Sequence, residues 1–322
     1  MSDYRSLTKE QCADILLGID RALVLCHVRP DGDTVGSAKA LAELFRAMGK
    51  EAKIACADPI PERLKFILDE DDLLVGSREG YTPISIDVAS PSQLGSLAEE
   101  LCPVVAIDHH ASSTPFADNY TVKDTSSAAE ALMDVIELLE ERGVLCLNSK
   151  IAAALYTAIS SDSGCFCYSS VTPRTHLRAA RLIGTGIDFS DINRRLFHTK
   201  SPEQIAAESF VGSRIRTEAD GRIAYALITE ADRLALGVEK EHFECAIDVV
   251  RTLAGVEIAI TVKEAPDGAF KASLRSVGAN VAEIAAAFGG GGHIRAAGCT
   301  IHAESITDAA ALLLAKARAS LN

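Results

Sequence analysis

The chain has 322 residues, 48% of them hydrophobic, and a formal net charge of −13. This charge argues against a protein that tracks along long nucleic acid, because such binding rests on many phosphate contacts from Lys and Arg. No run reaches the roughly 18 apolar residues of a membrane span. Nine cysteines without a CxxC pair, and a first segment without a secretory pattern, predict free thiols in the cytoplasm.

The first 189 residues alternate between strand and helix patterns. Strands are predicted at 23–28, 53–57, 84–87 and 104–108, and helices near 8–20, 37–48, 92–101, 128–142, 150–161 and 174–184. This alternation predicts an α/β domain over 1–189 with a mostly parallel, doubly wound sheet. Ser127 and Glu130 resemble a capping box at the start of the helix from 128.

The pattern changes after Gly184-Thr185-Gly186. Residues 190–207 are predicted to be a linker that is helical in part, and residues 208–322 a smaller α+β domain, with the active site in the cleft between the two domains. Strands are predicted near 223–229, 256–263, 270–275 and 297–302, and helices near 239–253, 281–287 and 305–320. The segment 174–222 has nine basic residues against six acidic ones, which is typical either of an anion-facing zone or of solvated surface.

Four elements of the first domain end in Asp, or in Asp with His. The residues concerned are His27, Asp31 and Asp33 after the first strand, Asp87 after the third, Asp108-His109-His110 after the fourth, and Asp162 after the helix at 150–161. Parallel strands end at one edge of a sheet, where α/β proteins place their sites. Nitrogen and oxygen ligands without cysteine suit Mn²⁺ or Mg²⁺. Each element alone is also typical of a turn or a helix cap.

Two further segments have residues suited to anions. Gly36-Ser37 either presents backbone N–H groups to a phosphate or simply begins the helix at 37–48. The run from Gly289 to Gly292, followed by His293, predicts a flexible loop that binds an anion. Arg275 ends a predicted strand, where it is suited to grip a phosphate or to lie exposed. Asn280 and Glu283 have the pattern of a helix N-cap and its N3 partner.

The motifs His27 to Ser37, Asp87, Asp108-His109-His110 and Asp162-Ser163-Gly164, in this order, resemble the four motifs of the DHH phosphoesterase superfamily. The resemblance covers essentially the whole chain, because Arg275, Asn280 and the glycine run also fit the associated substrate-binding domain. The layout is similar to the nanoRNase/pAp-phosphatase branch. One departure is Ile294-Arg295, where that branch often has a proline and an apolar residue. Arg295 either adds a phosphate contact or points outward.

The resemblance implies a role for each residue. His27, Asp31 and Asp87 resemble the ligands of one Mn²⁺, and Asp33, Asp87, His109 and Asp162 those of a second, with Mg²⁺ or Co²⁺ as substitutes. Asp108 resembles an acid that orients a histidine. His110 resembles the residue that faces the scissile phosphate, with a third metal ligand or a packed core histidine as alternatives. The implied substrate-binding residues are Arg275, Asn280, Gly290, Gly291, Gly292 and His293.

The function implied by the resemblance is hydrolysis of short phosphorylated nucleotides by attack of a two-metal-activated hydroxide on phosphorus. The expected substrates are RNA of two to five nucleotides, linear or cyclic dinucleotides such as pApA, and pAp. The alternatives are an inorganic pyrophosphatase or single-strand exonuclease of the same superfamily, and a non-catalytic nucleotide sensor. Long duplex nucleic acid and membranes are not expected as partners, and a homodimer is left open.

Overall fold

The computed structural model describes residues 4–244, 246–265 and 267–321. The chain divides into two compact units, residues 1–199 and 200–322, so that the division falls inside the predicted linker 190–207. Among the described residues, every helix is too short or too polar to cross a bilayer.

The first unit is built on a parallel sheet. Its strands are β1 (Arg21–Leu25), β2 (Glu51–Ala55), β3 (Thr82–Ile86), β4 (Val105–Asp108) and β5 (Asp118–Thr121). Its helices are α1 (Lys9–Leu17), α2 (Gly32–Ala47), α3 (Leu97–Glu100), α4 (Ala128–Glu141), α5 (Ser149–Asp162), α6 (Pro173–Ile183) and α7 (Phe189–Asn193), with 3₁₀ turns at Glu62–Ile67 and Pro91–Leu94 and a π-helical turn at Arg194–His198. The strand order is β2-β1-β3-β4-β5, and all pairs are parallel.

This strand order places a topological switch point between β1 and β3, because the chain moves from β1 to one neighbour and then crosses to the other side. In open α/β sheets, ligands bind in the crevice at the carboxyl ends of the strands flanking such a point. The predicted parallel α/β domain is therefore confirmed. The sequence patterns missed β5, and the helix predicted at 92–101 is only a 3₁₀ turn and the short α3.

Helices α2 and α5 approach each other through two glycines one turn apart. A Cβ atom on Gly32 would lie 2.2 Å from Oγ of Ser161, and one on Gly36 would lie 2.8 Å from the backbone oxygen of Ala154. These separations are too short for a side chain, so the glycines set the spacing of the two helices. The predicted helix start at residue 37 was wrong, because Asp31 caps a helix that begins at Gly32.

The second unit is a mixed sheet with helices. Its strands are β6 (Arg216–Glu218), β7 (Ile223–Ile228), β8 (Ile258–Glu264), β9 (Phe270–Ser276), β10 (Gly291–His293) and β11 (Ala296–Ile301). Its helices are α8 (Pro202–Ser213), α9 (Glu230–Leu236), α10 (Ala246–Arg251), α11 (Val281–Ala286) and α12 (Ile306–Ala319), with a 3₁₀ turn at Lys240–Phe243. The strand order is β10-β11-β9-β8-β7-β6, and only β7 and β8 run parallel. The predicted α+β domain is confirmed.

The two faces of this second sheet are covered unequally. Apolar residues of α11 and α12 pack with Ile258, Ile260 and Leu274 on one face. On the other face, α8 and α10 pack over Ala224 and Ala259 of β7 and β8. The glycine run was predicted to be a flexible loop. In the structure, residues 291–293 instead pair with β11 as strand β10. The sequence patterns also missed β6, α8 and α9.

The basic segment 174–222 contributes mainly structural ion pairs. Arg178 is buried and bonds to the carboxylate of Asp134 on α4. Arg194 and Arg195 both bond to Asp191, which lies three and four residues earlier. These pairings favour ordinary structural and surface roles over an anion-facing zone.

Candidate metal centre and substrate-binding residues

The polar residues of the first unit converge at the carboxyl edge of its sheet. The contributing segments are the β1–α2 connection, the ends of β3 and β4, and the C-terminus of α5. They bring together His27, Asp31, Asp33, Asp87, Asp108, His109, His110 and Asp162. All the first-unit residues that the sequence motifs singled out for metal binding and catalysis therefore lie in one place.

His27 lies at the first half of this cluster. Its Nδ1 lies 2.8 Å from the backbone oxygen of Val28, which assigns a proton to Nδ1. Nε2 is then the atom that can bind a metal ion through its lone pair. Nε2 lies 3.6 Å from Oδ1 of Asp31 and 3.5 Å from Oδ2 of Asp87. Asp31 also accepts hydrogen bonds from the backbone N–H groups of Asp33 and Thr34, so that the start of α2 fixes its carboxylate.

His109 lies at the second half. Its Nε2 lies 3.5 Å from Oδ1 of Asp87, 3.6 Å from Oδ2 of Asp162 and 3.9 Å from Oδ2 of Asp33. Asp87 therefore turns one carboxylate oxygen toward each imidazole, which is the arrangement of a carboxylate that bridges two ions.

These separations fit shared cations better than direct contacts. The distances from 3.5 to 3.9 Å are long for hydrogen bonds. Two ligands that each lie about 2.1 Å from one ion are at most about 4.2 Å apart. In the groups His27, Asp31, Asp87 and Asp33, His109, Asp162, the separations between the histidine Nε2 and the carboxylate oxygens, 3.5 to 3.9 Å, lie inside this limit. All the donor atoms of each group lie within 4.8 Å of one another. The donor set suits hard or borderline divalent cations.

The electrostatics of the cluster also favour bound cations. Burial, and then the charge of Asp33, raise the pKa of Asp87 well above its usual value, and the same two causes act on Asp162. Burial and the charge of Asp31 raise the pKa of Asp33 to about 7. Oδ1 of Asp87 is buried and has no hydrogen-bond partner among the described residues. Positive charge from cations would relieve this crowding of carboxylates.

A second acidic cluster in the same unit is paired with basic side chains. Glu43, Asp69 and Asp72 also lie close enough to hold an ion. Lys39 Nζ lies 2.8 Å from Glu43, 2.7 Å from Asp69 and 2.8 Å from Asp72, and Arg46 adds a second cation. Fixed cations neutralise these acids. The cluster around Asp87 receives no lysine or arginine within 4.0 Å from the described residues, so it is the one suited to metal.

Asp33 is held by hydrogen bonds that the sequence motifs did not indicate. Its Oδ2 accepts a 2.6 Å hydrogen bond from the backbone N–H of Ala128, and its Oδ1 accepts bonds from Ala129 and from Oγ of Ser37. The N-terminus of α4 thus supports a candidate ligand on α2. Ser37 lies inside α2 and is fully buried, so its position matches neither of the two alternatives left open for Gly36-Ser37, a phosphate contact or the start of the helix.

The capping box predicted at the start of α4 is only half present. Ser127 is the N-cap and accepts from the backbone of Glu130. The carboxylate of Glu130 instead accepts from Ser126 and from Thr175 of α6, because α6 packs against this turn. Glu130 therefore ties α4 to α6.

His110 lies beside the cluster and is oriented by Asp108. Its Nδ1 lies 2.7 Å from Oδ1 of Asp108. This bond raises the pKa of His110 against the effect of burial. Burial and the neighbouring charge of His110 lower the pKa of His109 to about 4. The two adjacent imidazoles therefore differ: His109 is neutral and able to bind a cation, while His110 favours the protonated form.

The substrate-binding residues predicted in the second unit lie around β9, β10 and β11. His293 pairs with Ala296, which pairs with Arg275, so the three form one row across the sheet. Asn280 caps α11: its oxygen accepts from Ala282 and its nitrogen donates to Glu283. The predicted capping role of Asn280 is confirmed.

The remaining predicted residues occupy the turn beside this row. Arg295 is exposed in the turn between β10 and β11, and its guanidinium lies 3.3 Å from the backbone oxygen of Ala279. Gly290 and Gly292 are required by close backbone contacts, because added Cβ atoms would lie 2.3 Å from the oxygen of Gly298 and 2.5 Å from that of Ala296.

Comparison with known proteins identifies the family. A model of the DHH family N-terminal domain matches residues 21–159, and a model of the DHHA1 domain matches residues 220–319. The bifunctional oligoribonuclease and PAP phosphatase NrnA of Thermus thermophilus is 31% identical over 316 residues, which cover 96% of this chain and 93% of that protein. The chain belongs to the DHH family. The NrnA protein of Bacillus subtilis is 24% identical over 291 residues, or 90% and 92% of the two chains.

Solved structures show the same fold for the DHH chain. An exopolyphosphatase-related protein from Bacteroides fragilis has a TM-score of 0.87 at 22% identity, covering 96% of this chain and 95% of the other. RecJ of Thermus thermophilus, in complex with Mn²⁺, has a TM-score of 0.57 at 14% identity and is covered over 54% of its length. The family models and the NrnA relatives confirm the resemblance of the sequence motifs to the DHH superfamily, whose phosphoesterases are metal-dependent enzymes.

Proposed function

We propose that the chain is a divalent-metal-dependent phosphohydrolase of short phosphorylated nucleotides. The observation that carries the proposal is the position of Asp87, which faces His27 with one oxygen and His109 with the other. The full-length similarity to NrnA proteins supports the choice of short oligoribonucleotides and pAp as substrates.

His27, Asp31 and Asp87 would hold one Mn²⁺, and Asp33, Asp87, His109 and Asp162 a second. Cations bound there supply positive charge for phosphate oxygens and lower the pKa of water. Protonated His110 donates a hydrogen bond to a phosphate oxygen, and Asp108 keeps its ring in place. Arg275 and His293 bind a phosphate of the substrate away from the reacting one.

The proposed function predicts activity on a defined set of substrates. With Mn²⁺, the purified protein should release AMP from pApA and phosphate from pAp, and should hydrolyse short RNA far faster than a 30-nucleotide RNA. Phosphate and nucleotide release are measured by chromatography on a panel with pAp, pApA, cyclic di-AMP, cyclic di-GMP, short RNA and pyrophosphate. EDTA should stop the reaction. Binding of pApA without product over hours would instead support a nucleotide sensor.

Arg275 is the proposed contact to the distal phosphate, so its removal should weaken substrate binding. Arg275→Ala should raise KM for pApA by about tenfold, the loss expected for a hydrogen bond between charged groups, with little change in kcat. Steady-state kinetics of wild type and variant measure both constants. Arg216→Ala, on the edge strand β6 of the same sheet, is the control. A fall in kcat with KM unchanged would contradict a role of Arg275 in distal binding.

A further inference from the structure

The turn that leads into α4 is buried although most of its residues are polar. It consists of residues 125–130, and we call it the α4 turn. Its three hydroxyl residues and Glu130 are all buried. Oγ1 of Thr125 lies 3.1 Å from the backbone oxygens of Val122 and Ser127. Buried polar groups need hydrogen-bond partners, so the partners of this turn determine its conformation.

Two candidate ligands from the second half of the metal cluster contact the α4 turn. The N–H of Ala128 donates a 2.6 Å bond to Oδ2 of Asp33, and the N–H of Ala129 donates a 3.3 Å bond to Oδ1. The first N–H groups of a helix have no partner inside the helix, so they can hold a carboxylate and favour its negative charge. The backbone of Thr125 lies close enough to the ring of His109 for a hydrogen bond that favours a proton on the ring. Nε2 of His109 faces the carboxylates, so the contact with Thr125 belongs to the other ring nitrogen and keeps Nε2 turned toward the metal site.

Glu130 holds the α4 turn in this conformation. Its Oε1 accepts bonds of 3.1 and 2.7 Å from the N–H and Oγ of Ser126, and a 2.9 Å bond from Oγ1 of Thr175 on α6. Arg178, also on α6, donates a 2.6 Å bond to the backbone oxygen of Glu130. A buried carboxylate is costly unless its hydrogen bonds are made. Ser126 is therefore fixed two residues before the N–H of Ala128.

The first half of the cluster is supported by other groups. Asp31 accepts from backbone N–H groups in the first turn of α2, and Nδ1 of His27 lies 2.8 Å from the backbone oxygen of Val28. These bonds do not involve residues 125–130. The two halves therefore have separate supports, although they share Asp87.

We propose that Glu130 is a positioning residue for the second metal ion: through the α4 turn it holds Asp33 and His109 in the geometry that binds this ion. This role rests on the proposed function, because it presupposes the two-metal centre. Groups that orient the ligands of a metal typically contribute about ten- to hundredfold to its affinity. Loss of Glu130 should therefore weaken the binding of one ion and not of the other.

Glu130→Ala tests this role. The second Mn²⁺ should bind about ten- to hundredfold more weakly than in the wild type, with the affinity of the first unchanged. Titration of the full chain with Mn²⁺, followed by electron paramagnetic resonance, measures both affinities without turnover. At stoichiometric Mn²⁺ the wild type should give the coupled signal of neighbouring ions, and the variant the signals of an isolated bound ion and of free Mn²⁺. Equal weakening of both ions would contradict a role confined to the second half.

Two further substitutions separate positioning from general stability. Glu130→Gln keeps an oxygen that accepts from Ser126 and Thr175, so it should bind both ions with close to wild-type affinity. Glu140→Ala is the matched control, because Glu140 lies on the same helix and pairs with Arg181 of α6. It should lose a similar tie between α4 and α6 and keep both affinities. Equal losses at the second site in Glu140→Ala and Glu130→Ala would refute the positioning role.

Ala128→Pro tests the α4 turn even if Glu130→Ala does not fold. Ala128 is the first residue of α4, where proline is well tolerated, and Ser127 before it has the extended backbone that proline requires, with φ −162° and ψ 159°. The variant removes the N–H that bonds to Asp33 and should weaken the second ion alone. Unchanged affinity for the second ion would overturn the role of the turn. A wild type that binds a single Mn²⁺ would refute the two-metal centre itself, and the role of Glu130 with it.

Discussion

Asp87→Asn should reduce hydrolysis of every substrate by about a thousandfold or more, because one change removes a charged ligand from both halves of the metal centre. Asn keeps the shape of the side chain, and its position in the left-handed region, with φ 59°, is one that Asn adopts readily. The loss should therefore come from the missing charge and not from misfolding.

The stability of the metal-free protein distinguishes a loss of activity caused by the missing charge from one caused by misfolding. Asp87 is buried among like charges and raises the free energy of the folded state without a cation. Asp87→Asn should then unfold in EDTA at an equal or higher temperature than wild type, while the stabilisation on adding Mn²⁺ should be largely lost. Asp20→Asn, on an exposed side chain, is the control for a carboxylate-to-amide change. Near-normal turnover of Asp87→Asn at saturating Mn²⁺ would refute the two-metal centre.

Lys39→Met should lower the free energy of unfolding by about 1–3 kcal/mol, since it removes one of the two cations that pair with the buried acids Glu43 and Asp72. Lys39 is 4% exposed and contacts Glu43, Asp69 and Asp72 together. Arg46 remains as a partner of Glu43 and Asp72, but it does not contact Asp69. Methionine matches the length of the lysine stem, so the lost charge dominates the effect.

Urea denaturation followed by circular dichroism measures this loss. Lys65→Met is the matched control: Lys65 bonds to Glu62 on the surface, and an exposed pair contributes at most about 1 kcal/mol. Equal stabilities of the two variants would show that the acids around Lys39 are neutralised in some other way, and the contrast drawn with the Asp87 cluster would lose its basis.

Much of the first unit and its site could be predicted from the sequence. β-branched strands followed at once by Asp or His are a local pattern, and parallel strands bring their carboxyl ends together without further information. Strand β5 escaped prediction because Asp118, Asn119 and Thr121 are polar and only Tyr120 is buried. The start of α2 was misplaced because Pro30 to Asp33 has the composition of a turn, whereas Asp31 acts as a cap and the helix begins at Gly32.

Long-range contacts account for the other differences. No local pattern indicates that Asp33 accepts from the first turn of α4, some 95 residues away. The glycine run was expected to be a flexible loop, but residues 291–293 pair with β11 because the two-residue turn at 294–295 folds them back into the sheet. Pairing partners of this kind are determined by the tertiary fold and not by composition.

The two glycines of α2 at its contact with α5 determine how far apart two candidate metal ligands lie. Asp33 lies on α2 and Asp162 ends α5. At Gly36 a Cβ atom would lie 2.8 Å from the backbone oxygen of Ala154, so the two helices are as close there as the backbone allows. A single methyl group at Gly36 would separate the helices and pull the two carboxylates apart, although residue 36 contacts neither of them. Metal binding is therefore expected to depend on the separation of α2 and α5. Inactive variants are expected among residues that pack these helices together and do not contact the substrate.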